Sequence, residues 1–147
     1  MKGIFWNSRG LADLAKHRRI SEWVKEEHLD FIAILETRKD DFPSHLLKSF
    51  CAGADFLWSW VSPQGQSGGI LLGVNLAVFD VRYIDPGDFY LKFHLRNKDD
   101  GFQWALVAVY GAAQDEHKDR FLTELVNACG KESLPLLVGG DFNIIRR

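Results

Sequence analysis

Five consecutive apolar residues, Phe31-Ile32-Ala33-Ile34-Leu35, stand between Asp30 and Glu36. The run is too short for a core helix, and it lacks the alternation of a half-exposed strand. It suits a strand buried on both faces. Such a strand needs covering layers, and the neighbouring sequence offers them. Residues 12–28 read as a helix, with Asp13 as its N-cap and Leu14, Ile20, Trp23 and Val24 on one face. Pro43 opens a second helix, where its missing N–H does no harm, and Leu46, Leu47, Phe50, Cys51 and Ala54 follow at helical spacing.

Residues 2–6 read as a strand ending at Asn7, and 31–35 as the buried one. Strands are then expected at 56–62, 69–74, 77–84, 89–96 and 102–110, joined as antiparallel hairpins by turns such as Pro86-Gly87 and Asp99-Asp100-Gly101. Tyr90, Lys92, His94 and Arg96 alternate with apolar residues, which predicts one polar face. A third helix spans 115–130, with Phe121, Leu122, Leu125, Val126 and Cys129 on its stripe and Gly130 at its C-terminal cap. Leu136 to Gly139 is a last strand. The order β-α-β-α, meander, α-β implies a layered α/β sandwich in one domain, residues 1–147.

The composition agrees with a packed domain: 46% apolar, 13% aromatic and 26% charged. No apolar run approaches the roughly 20 residues of a membrane-spanning helix. The first residues reach Asn7, Ser8 and Arg9 too early for a secretory leader. Cys51 and Cys129 are too few for a disulfide framework or a zinc site. Both lie on apolar stripes and read as buried free thiols in a reducing compartment. The net charge of −2 gives no global basic field to attract nucleic acid. The densest basic patch, Lys16-His17-Arg18-Arg19, reads as a solvated helix face.

Polar residues gather at the C-terminal ends of the expected strands. Asn7 ends the first and Glu36 the second. Tyr110 ends Trp104-Ala105-Leu106-Val107-Ala108-Val109, and Asp141 and Asn143 follow Leu136-Leu137-Val138-Gly139-Gly140. If these strands are neighbours, their ends converge on one rim. Two carboxylates, two amides and a phenol would then meet. Hard oxygen ligands select Mg²⁺ or Mn²⁺ over zinc. A phosphate oxygen on such a metal becomes more electrophilic, and neutral amide and phenol donors hold the others.

At Trp6-Asn7-Ser8-Arg9-Gly10-Leu11, Leu35-Glu36-Thr37-Arg38, Ser67-Gly68-Gly69, Val109-Tyr110-Gly111 and Gly139-Gly140-Asp141-Phe142-Asn143, the chain resembles the endonuclease/exonuclease/phosphatase superfamily, the group of deoxyribonuclease I. Within it, the sequence looks most like the endonuclease domain of plant non-long-terminal-repeat retrotransposons. The resemblance implies a four-layer fold, two mixed sheets flanked by helices. It implies Mg²⁺- or Mn²⁺-dependent phosphodiester hydrolysis, nicking DNA to prime reverse transcription. DNA is the implied partner, with no membrane and no small-molecule cofactor, and an intracellular, nuclear location if the chain functions. By resemblance Glu36 is the metal ligand and Asn7 lies near metal and phosphate. Tyr110 contacts the scissile phosphate, Asp141 positions or deprotonates the attacking water, and Asn143 holds a phosphate oxygen.

The family's closing Ser-Asp-His motif is absent, and none of His17, His28, His45, His94 or His117 stands in such a context. The expectation is a C-terminally truncated domain, with activity weak or lost. Whether it is an enzyme stays open, because a catalytically inactive retrotransposon-derived fragment is the rival reading. A phosphoinositide or sphingomyelin phosphatase is a third reading, and a protein-binding module a fourth. Truncation would leave sheet faces open, with Phe56, Trp58, Trp60 and Trp104 partly exposed and self-association through the exposed sheet.

Overall fold

The computed structural model describes residues 1–63, 68–111 and 115–142. The elements run β1 (Gly3–Asn7), α1 (Leu14–Glu26), β2 (Phe31–Leu35), α2 (Ser44–Phe50), β3 (Phe56–Val61), β4 (Ile70–Asn75), β5 (Phe79–Pro86), β6 (Tyr90–Asn97), β7 (Gln103–Tyr110), α3 (Asp115–Gly130) and β8 (Leu136–Asp141). One sheet has the order β1-β2-β4-β3 and the other β5-β6-β7-β8. Both are mixed. β1 lies parallel to β2, and β8 parallel to β7, while the remaining pairs are antiparallel.

The layers follow from the alternation of side chains along each strand. Phe31, Ala33 and Leu35 of β2 point between the sheets. There they meet Leu72 of β4, Leu91 and Phe93 of β6 and Leu106 of β7. Ile32 and Ile34 point the other way, onto Ile20 and Val24 of α1 and Phe50 of α2. On the far side Val107 and Val109 of β7 receive Phe121 and Leu125 of α3. The chain is therefore four layers deep: helices, sheet, sheet, helix. This is why the run 31–35 carries no polar residue. Each fully buried Leu, Ile or Phe contributes about 1.5–3 kcal/mol.

Several expectations are corrected. Strands 3 to 7 are not one meander, because the chain passes from the first sheet to the second between β4 and β5. Leu14 lies 70% exposed, outside the buried stripe of α1, although Asp13 does cap that helix by accepting from the Ala15 N–H at 2.9 Å. Pro43 is the N-cap of α2, one place before the first helical residue, and Ala54 lies beyond the helix and is exposed. Gly130 is the last residue of α3 rather than its cap. Leu122 and Val126 face outward, so α3 turns Phe121, Leu125 and Ala128 to the sheet. Phe56 and Trp104 are buried, Cys51 is a buried free thiol, and Cys129 is only half-buried. Lys16 and His17 are half-buried against the carbonyls of Ser8, Gly10 and Leu11; only Arg18 and Arg19 of that patch are solvated.

The expected polar face of β6 is covered at Tyr90 and Lys92, while His94 is half-buried and the Arg96 side chain stays 40% exposed. Lys92 is 7% exposed beneath the end of α3. Its ammonium donates to the Ala128 carbonyl and lies 2.9 Å from Glu132 Oε1, and His94 Nε2 lies 2.5 Å from the same oxygen. Burial raises the Glu132 pKa. Hydrogen bonds from Lys92, the Leu134 N–H and His94 outweigh it and hold the carboxyl at about 2. Nearby, Tyr90 donates to Asp85 at 2.9 Å, and burial together with that carboxylate pushes the phenol well up. A buried charge is tolerated here because it is paired from several sides.

Candidate active site

Parallel pairing brings strand ends together in twos. Asn7 is in register with Leu35, so it stands beside Glu36, the residue after β2. Tyr110 is in register with Asp141, at the ends of β7 and β8. Two hydrogen bonds then cross from one sheet to the other. Asn7 Nδ2 donates to Asp141 Oδ2 at 2.8 Å, and the Tyr110 hydroxyl donates to Glu36 Oε1 at 2.7 Å. Asn7, Glu36, Tyr110 and Asp141 are thus brought onto one rim. Asn143 lies outside the described residues, as do Ser67 and Ala112.

Glycine permits the approach of the sheets. A Cβ on Gly139 would lie 2.5 Å from the Phe5 ring of β1. One on Gly140, whose φ is +137°, would lie 2.0 Å from the Val109 carbonyl oxygen. The bare backbone at Gly139 lets β8 come close to β1, and that at Gly140 lets β8 lie tight against β7, so that Asp141 reaches Asn7.

Glu36 is held from its backbone as well as its side chain. Its φ is 53°, in the left-handed region that non-glycine residues rarely occupy. The Gly10 N–H donates to its carbonyl at 2.7 Å, and the buried Ser8 hydroxyl lies 3.1 Å from that oxygen. Strain of this kind persists where surrounding contacts over-determine it, and it concentrates at functional positions. The second carboxylate oxygen, Oε2, takes Arg38 Nη2 at 2.5 Å. The Glu36 side chain is 12% exposed and that of Arg38 50%. Ser8 and Arg38 stand inside the sequence motifs, but sequence reasoning assigns them no role. A basic residue two places after a lone carboxylate is the available signal for Arg38.

Among the described residues no cluster of three or more His, Cys, Asp or Glu side chains could enclose a metal ion. The donors at the rim are oxygens: the Glu36 and Asp141 carboxylates and the Asn7 amide. Mg²⁺ commonly takes one or two carboxylates and fills its other positions with water and phosphate oxygens. This set therefore suits a hydrated Mg²⁺ or Mn²⁺, and not zinc.

Solved structures share the fold. A conserved protein of unknown function from Enterococcus faecalis V583 superposes with a TM-score of 0.73 at 14% identity, over 98% of this chain and 67% of that one. A mannosyl-6-phosphatase from Bacteroides thetaiotaomicron VPI-5482 gives 0.64 at 15%, over 98% and 66%. The human Nocturnin catalytic domain, solved with a bound sulfate anion, gives 0.66 at 16%, over 97% and 64%. The chain thus spans about two thirds of the length of these neighbours. No curated protein sequence matches it closely enough to count as a relative. Residues 4–147 match the sequence pattern of the Endonuclease/Exonuclease/phosphatase family. Because that match takes in nearly the whole chain, and the two-sheet fold accompanies it, the protein belongs to this family.

Proposed function

We propose that the rim formed by Asn7, Glu36, Tyr110 and Asp141 is a metal-assisted phosphodiesterase site whose substrate is DNA. The observation that carries this is the pair of inter-sheet hydrogen bonds, Asn7 to Asp141 and Tyr110 to Glu36. They fix two carboxylates with neutral donors, leaving oxygen-rich chemistry at the mouth. Glu36, with Asn7 nearby, would hold Mg²⁺ or Mn²⁺, which when bound neutralises phosphate charge and makes the phosphorus more electrophilic. Tyr110 orients Glu36 through its hydroxyl. Asp141, oriented by Asn7, takes a proton from the attacking water at a carboxylate oxygen. Asn143, by its place in the motif, would steady a phosphate oxygen. The Trp6-Asn7-Ser8-Arg9-Gly10-Leu11 opening favours the retrotransposon branch, and so nicking of duplex DNA, over a phosphatase.

A second reading rests on the histidines. His17 is engaged with the Leu11 carbonyl and His94 with Glu132, His117 lies on α3, and His28 and His45 are exposed at the helix side of the first sheet. The His17 and His94 contacts thus lie away from Glu36 and Asp141. A chain that keeps the rim with no imidazole supplied to it would retain the fold and lose most of the rate.

Nicking of supercoiled plasmid by the purified chain decides between them. The assay is run with Mg²⁺, with EDTA, and beside Asp141→Ala. Metal-dependent nicking that vanishes in the variant supports the phosphodiesterase. Equal traces from both chains leave the inactive fragment.

A further inference from the structure

Glu36 and Arg38 both have left-handed backbone, with φ of 53° and 55°, and the turn this makes brings their side chains together two residues apart. The backbone carrying Arg38 is pinned on both sides. Leu11 N–H donates to the Thr37 carbonyl at 2.9 Å, and Arg38 N–H donates to the Gly68 carbonyl at 3.0 Å. The side chain is not pinned in the same way. Its stem passes over Gly10, where a Cβ would sit 3.4 Å from Arg38 Cδ, and half of it is open to solvent.

The two oxygens of Glu36 therefore have unlike partners. Oε1 takes the neutral Tyr110 hydroxyl inside, and Oε2 takes a full positive charge at the mouth. Arginine cannot shed its proton to make way for another cation. We infer that Arg38 is the resident counter-cation of Glu36, and that a divalent cation at Oε2 competes with the guanidinium for the same carboxylate charge. Arg38 thereby sets the cation affinity of the site. It is a positioning residue, keeping the carboxylate aligned when no metal is bound and weakening the metal by competition. This rests on the reading of Glu36 as the metal ligand.

The test is Mn²⁺ binding to the full chain without substrate, read from the EPR signal of free aqueous Mn²⁺. Wild type is compared with Arg38→Met, which keeps the stem and drops the charge, with Arg38→Gln, and with Glu36→Gln. The thermal shift on adding Mn²⁺ is recorded for each. Both Arg38 variants are expected to bind roughly tenfold tighter than wild type, the effect of losing one charge-assisted hydrogen bond to the ligand oxygen. Their melting temperatures should rise more on adding Mn²⁺, a gain that misfolding cannot imitate. Unchanged or weaker binding in both, with binding lost in Glu36→Gln, overturns the role of Arg38 and leaves the metal site standing. Wild-type affinity in Glu36→Gln overturns both.

Discussion

Asn7 and Asp141, 134 positions apart, are joined by a hydrogen bond of 2.8 Å from the Asn7 amide to the Asp141 carboxylate. The bond ties the end of β1 in one sheet to the end of β8 in the other. Asn7→Ala removes this charge-assisted donor. The expected result is a stability loss of about 1–2 kcal/mol by urea unfolding followed through tryptophan fluorescence. Any nicking activity should fall by roughly a hundredfold or more, because the carboxylate is no longer aimed.

Tyr110→Phe deletes one oxygen and little volume. Tyr110 is 7% exposed, so the lost partner of Glu36 is not readily replaced by water. A destabilisation of about 1–3 kcal/mol follows from leaving a buried carboxylate oxygen short of a donor. Chemical denaturation of the two chains side by side checks it, and an unchanged midpoint would refute it.

Gly140→Ala places a methyl 2.0 Å from the Val109 carbonyl oxygen at a φ of +137°. Neither the backbone nor the neighbour can give way cheaply. We expect loss of β8 pairing, seen as fast hydrogen exchange at Gly139 to Asp141, and a melting temperature lower by many degrees.

Glu132 predicts an acid limb in the stability curve. Its folded carboxyl sits at about 2, below the ordinary 4.5, so it stabilises the fold fully above the unfolded value. That contribution drains away as the pH falls from about 4.5 towards about 2. Glu132→Gln should flatten the curve in this window and lower stability at neutral pH. Lys92 then keeps a buried charge with the Glu132 counter-charge gone and Asp85, 3.8 Å away, left to balance it. Melting temperatures measured from pH 2 to 7, about the span of ordinary carboxylate titration, test this.

The strand β8 forms one edge of the second sheet, and Leu136 and Leu137 are 37% and 38% exposed on it. No charge interrupts the sequence from Leu134 to Gly140. An apolar edge without a gatekeeping charge pairs readily with another copy of itself. Sedimentation at rising concentration should show association of the wild type, and Leu137→Lys should suppress it. A wild type that stays monomeric at high concentration would contradict the idea.

The elements themselves were legible in the residues because each has a local cause. The run Phe31 to Leu35 has no polar residue, Asp13 caps α1, and the strands from 56 to 110 are separated by turn residues. The errors were mostly questions of which face is covered. Leu122 and Val126 satisfy a helical stripe but look outward, since α3 is rotated to seat Phe121 and Ala128 on β7 and β8. Alternation marks Lys92 and His94 as a polar face but not what faces them; the end of α3 covers Lys92, and Glu132 beyond it pairs with both.

The chain by itself determined the order of strands and helices, the double burial of β2, and the placement of Asn7, Glu36, Tyr110 and Asp141 at strand ends. Periodicity, capping and turn chemistry act over a few residues, so they are written in the order of the residues. Only the tertiary structure decided that the chain crosses between sheets after β4. Only it decided that Asn7 meets Asp141 and Tyr110 meets Glu36, and that Arg38 closes on the second Glu36 oxygen. Those contacts depend on how two sheets stack, on Gly139, which lets β8 approach Phe5 of β1, and on Gly140, which lets β8 lie close against β7. Packing between distant segments leaves no periodic trace in either of them.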